Sequence, residues 1–300
     1  MSFRVVGVGE TLWDLLPSGP QLGGAPGNFA YHARQLGAQA QVITRIGDDA
    51  AGRKMFERLD NMGIADGTVQ VDGRLPTGSA AVILETAGVP RFAIGADAAW
   101  DGLEVTNEAL NAVRKANAVC FGSLAQRSTS AAASVRSLVA STPLAALRVF
   151  DINLRESFFT KETIERSLEA ANVVKLNEQE LAVLSTMFGL RGDVNGQIEN
   201  LDHLFDLDVI ALTRGEMGSL LYQAGSWSDL PGRKVDIVDT IGAGDAFTAA
   251  LVMGLLNQLG LPEIHRIAAD LAGFVCSQPG ATPNLPQHLR AAFVPNCMSV

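Results

Sequence analysis

Short runs of Val, Ile and Leu recur along the chain with longer amphipathic stretches between them. Residues 5–8, 42–46, 119–121, 149–152, 173–176 and 209–212 are almost wholly apolar, as strands covered on both faces are. Residues 28–36, 51–62, 107–116, 131–140, 161–171 and 178–188 carry apolar side chains at helical spacing. Their alternation predicts a doubly wound α/β fold around a mostly parallel sheet. Residues 68–71, 79–84 and 91–94 break that rhythm, being strand-like and parted by Gly and Pro turns with no helix between them. They predict a small antiparallel β insert, a lid on a pocket or a clasp between two copies, because an apolar sheet face needs a cover. No linker, repeat or low-complexity tract interrupts the chain. Residues 1–300 therefore read as one domain, its lid formed mainly by about 68–100 with a contribution from about 11–22.

Composition narrows the class. The chain has 23 Lys+Arg against 32 Asp+Glu, a formal net charge of −9, which speaks against a nucleic-acid groove with its basic face. At 300 residues and 47% hydrophobic, it can bury a large core without disulfides. Cys120, Cys276 and Cys297 form neither a CxxC pair nor a zinc spacing, and fit a reduced, cytoplasmic compartment. Without a long apolar run, no membrane span is expected, and the first residues fall short of a secretory leader. An enzyme of small solutes is the class left standing.

The common phosphate signatures fail by position. No Gly-Lys dipeptide exists for a P-loop, and Leu12 stands where the third glycine of a dinucleotide fingerprint beginning at Gly7 and Gly9 belongs. His32, His203, His265 and His288 share no ligand spacing. A stronger signal is Asp239-Thr240-Ile241-Gly242-Ala243-Gly244-Asp245, which follows strand-like residues 234–238 and opens an apolar helix reaching about residue 259. Small residues at a helix start leave backbone N–H groups uncovered and aligned with the positive end of the dipole, an anion cradle. Asp245, in the first turn, stands where a carboxylate can take a proton from a hydroxyl, and cradle plus base is the equipment of phosphoryl transfer. The same residues also serve as a plain cap and tight turn. Near the other end, Gly23-Gly24-Ala25-Pro26-Gly27-Asn28 opens the first helix, with Asp14 upstream. Asp14 and Asn28 offer the acceptor and donor that vicinal hydroxyls demand; a glycine turn with an Asn cap is the alternative.

These two elements, with Asn177-Glu178-Gln179-Glu180 between them, resemble the ribokinase-like sugar kinases, or PfkB family, in the family's order and over nearly the whole chain. The resemblance implies an ATP-dependent kinase that requires Mg²⁺, with Asp245 as base and Gly242, Ala243 and Gly244 as anion hole. It implies that Asn177 and Glu180 organise Mg²⁺ and phosphates, Glu180 through water, and that Lys175, Thr213, Gly215, Gly218, Gly280 and Ala281 line the nucleotide. Asp239 matches a position that serves a monovalent cation, K⁺, in many relatives.

Ribokinases usually carry a basic residue in the glycine-Asn element, whereas Ala25-Pro26-Gly27 is uncharged here. The stretch over residues 9–17, Asp151-Ile152-Asn153-Leu154-Arg155 and Ala99-Trp100-Asp101 look most like bacterial fructokinases. That likeness implies D-fructose, phosphorylated at O6, oriented by Asp14, Gly24 and Asn28, covered by Phe92 of the lid, with Arg155 at a strand end touching phosphate or sugar. The Asp-x-Asn-x-Arg segment is shared with kinases of 2-keto-3-deoxygluconate. Such a kinase, a ribokinase or nucleoside kinase, and a non-catalytic sugar-sensing module are the alternatives. The partners implied are a sugar and ATP, neither nucleic acid nor membrane, and a second copy of the chain through the lid.

Overall fold

The computed structural model describes residues 2–16, 19–84 and 90–293. In chain order its first half contains β1 (Arg4–Val8), β2 (Leu12–Leu16), β3 (Gly19–Gly23), α1 (Ala25–Gln35), β4 (Gln39–Gly47), α2 (Ala50–Asn61), β5 (Val69–Asp72), β6 (Ser79–Leu84), β7 (Pro90–Ile94), α3 (Asn107–Arg114), β8 (Ala118–Phe121) and α4 (Thr129–Ala140). There follow β9 (Leu147–Asp151), α5 (Lys161–Ala170), β10 (Val173–Asn177), α6 (Glu178–Phe188), α7 (Val194–Phe205), β11 (Val209–Thr213), β12 (Ser219–Gln223), β13 (Ser226–Leu230), α8 (Ala243–Leu256), α9 (Leu261–Cys276) and α10 (Gln287–Arg290).

A nine-stranded sheet in the order β13-β12-β11-β10-β9-β8-β1-β4-β5 forms the centre. All pairings from β11 to β5 are parallel, and β12 and β13 add an antiparallel edge. Successive residues of each inner strand enter opposite layers. Val5, Val149, Val173 and Val209 pack with α1, α8 and α9, whereas Val6, Phe150, Val174 and Ile210 pack with α3 to α7. Both sheet faces are thus covered, which is why these strands read as continuous apolar runs.

The lid is a separate four-stranded sheet in the order β3-β2-β6-β7. Its β2–β3 and β6–β7 pairs are antiparallel, and β2 joins β6 in parallel. Residues 68–71 do not belong to it. β5 pairs in parallel with β4, from Thr44 opposite Val69 to Gly47 opposite Asp72, at the edge of the main sheet. The β4–α2–β5 crossover returns the chain beside the strand it left, and Thr68 Oγ1 donates to Val42 O at 2.7 Å. The strand expected at residues 234–238 is absent as well. That segment is exposed and lies against the end of α9, where the amides of Val238 and Asp239 donate to Cys276 O at 2.9 and 3.2 Å. The β12–β13 hairpin turns at Ala224 and Gly225, φ 47° and 80°, a primed turn without the Asn-Gly or Asp-Gly signal that would have announced it.

Arg127 fastens the lid's base. Its guanidinium grips Asp101 with two hydrogen bonds of 2.8 and 2.7 Å, donates to Gly95 O at 2.8 Å just past β7, and lies over the rings of Trp100 and Phe158. Both partners of the pair are mostly buried, at 7% and 12% exposure, so Arg127→Ala leaves a carboxylate stranded and should destabilise the fold by about 3–5 kcal/mol. Arg166→Ala, which breaks the exposed pair with Glu162, should cost under about 1 kcal/mol. Denaturant unfolding of the two variants measures the contrast; equal midpoints would show that the buried pair does not clamp the lid.

Candidate active site

The two glycine-bearing motifs meet at the carboxyl ends of the parallel strands, where open α/β sheets hold their ligands. Asn28 Nδ2 donates to Asp245 Oδ2 at 2.8 Å across 217 residues of sequence. α8 begins at Ala243 with Gly242 as N-cap and no side chain capping it, and only a long bond, from the Ala243 amide to Thr240 O at 3.4 Å, occupies its first donors from the preceding turn. Gly242 has φ 79° and lies so close to residue 281 that a Cβ there would come 2.6 Å from Ala281 O; only glycine fits on both counts. The turn before α8 is stapled by Asp239, whose Oδ1 accepts from Ile241 N at 2.9 Å and whose Oδ2 accepts from Gly280 N at 3.1 Å. From the opposite side His32 Nε2 donates to Ala281 O at 2.9 Å. Burial draws the His32 pKa down to about 4, so the ring is neutral, with its proton on the nitrogen that faces the carbonyl.

Three acids share this basin. Withdrawal from water pushes Asp245 up to about 6, helped by the charge of Asp151 and opposed by Asn28, Lys175 and Arg155. Burial pushes Glu10 up to about 7 against its own amide, Arg155 and the Ala25 amide, and its Oε2 has no hydrogen-bond partner. Asp14 is lifted to about 6 by burial, with Arg155 pulling down and Asp239 pushing up. Gly23 leaves room for Asp14, since a Cβ there would stand 2.3 Å from Oδ2. Gly24, with φ 108°, packs on the backbone of Glu10 and Thr11. Arg155 is the common cation of these groups. It sits not at a strand end but four residues beyond β9, in an exposed loop where Asn153 and Glu156 have φ 44° and 47°. The same loop reaches the lid, Glu156 Oε1 accepting from Ile94 N at 3.2 Å. Phe92 lies in β7 opposite Val82, and its side chain is outside the described residues.

On the other flank Asn177 ends β10 and caps α6. Its Oδ1 accepts from Glu180 N at 2.9 Å, while Glu180 Oε2 accepts from Asn177 N at 2.8 Å and Oε1 from Leu154 N at 2.9 Å. This is a reciprocal capping box, and burial lifts the Glu180 pKa against the pull of Lys175. Among the described residues no group of three or more His, Cys, Asp or Glu could hold a metal. Glu180 supplies one buried carboxylate on this flank, and Mg²⁺ brought by a nucleotide keeps several waters and needs only one or two carboxylates. Thr213 ends β11 with Oγ1 donating to Leu176 O at 3.3 Å, and Gly215 and Gly218 turn after it at φ 55° and 100°. Thr213 lies beside Asn177 in the parallel pairing of β10 with β11. Lys175 Nζ pairs with Asp151 Oδ1 at 3.0 Å beneath α8.

Motif reading alone assigns no role to Glu10, Asp151, Thr248 or His32. Glu10 and Asp151 do lie inside stretches singled out for their likeness to sugar kinases. Thr248 and His32 carry no local signal, because their partners are distant in sequence. No helix among the described residues is long and apolar enough to cross a membrane.

Known proteins resemble this chain in sequence and in fold. The pfkB family of carbohydrate kinases matches residues 20–288. The fructokinase of Klebsiella pneumoniae is 30% identical over 287 residues, 91% of each chain, and fructokinase-1 of Oryza sativa subsp. japonica is 29% identical over 309 residues, 94% of each chain. A sugar kinase of Pyrococcus horikoshii, solved in complex with ATP, superposes with a TM-score of 0.79 at 27% identity over 93% of this chain and 94% of that one. A family match that spans residues 20–288, with a relative 30% identical over 91% of each chain, places this protein in the PfkB family of carbohydrate kinases, phosphotransferases with an alcohol acceptor.

Proposed function

We propose that the chain transfers the γ-phosphate of ATP to a primary hydroxyl of a small sugar, D-fructose at O6, in the cytoplasm. The observation that carries this reading is the hydrogen bond from Asn28 to Asp245, because it sets the polyol-binding element against the base and the cradle. The likeness to fructokinases supports the choice of hexose.

Asp14 and Asn28 orient the sugar from lid and helix, and Gly24 lets the backbone approach it. Asp245 takes the proton of O6 as O6 bonds to the γ-phosphorus, and the bond to the bridging oxygen breaks to release ADP. The negative charge that develops on the phosphoryl oxygens is received by the backbone amides of Gly242, Ala243 and Gly244, the Ala243 amide exchanging its long bond to Thr240 O for the phosphate, and fixed donors stabilise such charge most. Arg155 offers a fork of donors to phosphate or sugar oxygens. The lid keeps water from competing with O6. Mg²⁺, bound to the nucleotide phosphates and held through water by Glu180, would neutralise phosphate charge; K⁺ is the ion proposed beside Asp239.

Sugar-dependent ADP release over fructose, ribose, keto-deoxy sugar acids and nucleosides tests the substrate. Fructose should give the highest kcat/KM, and preference for a sugar acid or a nucleoside would overturn the choice of hexose. Asp245→Asn should lower kcat by on the order of 10²–10⁴ without loss of fold, the usual worth of a general base; near-normal turnover would count decisively against Asp245. The base works ionised, and its pKa is about 6. Activity should therefore rise with pH through about 6, level above it, and fall away in acid; Asp245→Asn should make the limb of the kcat/KM profile shallower, leaving the part due to Asp14, also at about 6.

A further inference from the structure

Beneath the cradle lies a chain of buried groups that the reaction scheme above leaves unused. Lys175 on β10 is 7% exposed and donates from Nζ to Asp151 Oδ1 at 3.0 Å. Asp151, at the end of β9, is 3% exposed. The hydroxyl of Thr248, fully buried on α8, lies 2.9 Å from Asp151 Oδ2 and 2.9 Å from the carbonyl oxygen of Gly244. One proton thus bridges two acceptors, tying the first turn of α8 to the carboxylate. A Cβ on Gly244 would come 2.9 Å from Lys175 Nζ, so the ammonium rests directly against the Cα of the cradle's last glycine. An ammonium has three N–H donors, of which Asp151 takes one.

Stability is a weak reason to bury such a pair, since well-packed apolar residues of similar volume commonly do as well or better. Its location supplies a stronger one. A fixed cation in a water-poor site acts most strongly on charge that develops close by, and the amides above this one receive a phosphoryl group in the proposed reaction. We propose that Lys175 is a positioning residue for phosphoryl transfer, its ammonium being the fixed positive charge under the anion cradle, with Asp151 and Thr248 as the struts that hold it against Gly244. This rests on the kinase reading given above.

Asp245 feels the same charges. It is faced by Asp151 from β9, Lys175 from β10, the buried thiol of Cys120 from β8, Arg155 from the loop after β9, Glu10 two residues beyond β1, and the neutral amide of Asn28 from α1. Asp151 makes its ionisation harder and Lys175 makes it easier. Removing Lys175 alone would leave Asp151 without its counter-charge, so the comparison is made in an Asp151→Asn background, where only the ammonium changes. The experiment measures kcat, sugar KM and the pH profile of Asp151→Asn and of Asp151→Asn/Lys175→Met, with a sugar the unmodified enzyme phosphorylates. The double variant should have a kcat lower than Asp151→Asn by on the order of 10², an acid limb displaced to higher pH, and little change in sugar KM. Asp151→Asn/Lys175→Arg, which keeps the charge, should recover most of the loss. Identical kcat and identical acid limbs in the first two variants would overturn the proposal. Thr248→Val, nearly isosteric, covers the case in which the double variant does not fold. It should lower kcat roughly threefold to tenfold, the worth of one hydrogen bond, with sugar KM unchanged, and an unaltered kcat would again overturn the proposal. Failure of the unmodified enzyme to release ADP with any sugar would instead sink the kinase reading, a result separable from any difference among these variants.

Discussion

Hydrogen bonding between Asn28 and Asp245 is the constraint around which the site is organised, because it requires two helices from opposite ends of the chain to start at one point. α1 and α8 pack in the same layer of the core, with Phe29, Ala30 and Ala33 on one and Ala246, Ala249 and Ala250 on the other fully or almost fully buried. The small side chains allow the close approach of the two helices that brings both N-termini to the ends of the parallel strands. The His32 bond to Ala281 O and the Asp239 staple to Gly280 N then fix the loop that closes the cradle from behind. Each contact is short, buried or half-buried, and between groups far apart in sequence.

Charge is handled by the same layering. Three carboxyls, Glu10, Asp14 and Asp245, are lifted by burial toward neutral pH, and one arginine, Arg155, acts on all three. The opposite flank uses a buried lysine and a capping-box glutamate. A carbohydrate kinase, which handles a sugar and a highly charged phosphate together, gains from this division. In the proposed reading the acids, whose ionisation depends on their surroundings, face the sugar, and the backbone amides at the start of α8 lie above the buried lysine. The small sheet, clamped at its base by Arg127, is separate from the main sheet.

Much of this is legible in the pattern of residues alone. Continuous apolar runs such as residues 149–152 and 173–176 announce strands covered on both sides, because burial on two faces leaves no place for alternation. The open helix start at Gly242 and the carboxyl at Asp245 are equally legible, since spacing along one helix is local information. Other readings fail where a neighbour decides the outcome. Residues 68–71 and 234–238 are both strand-like in composition, yet one joins the main sheet and the other finds no strand to pair with. The likeness to fructokinases implies Arg155 at a strand end, but β9 stops at Asp151 and the left-handed residues Asn153 and Glu156 carry the chain into a loop.

By itself the sequence determined the α/β alternation, the glycine-rich turns and the chemical kinds of group at each motif, because these depend on residues within a few positions of one another. Only the tertiary structure decided which groups meet. The amide of Asn28 on Asp245, Lys175 against Gly244, and Thr248 between Asp151 and the first turn of α8 are contacts between elements brought together by packing on a shared sheet. Burial, which decides how far an acid such as Glu10 is lifted, is likewise a property of the assembled layers, since the same carboxyl on an open strand would keep its ordinary ionisation.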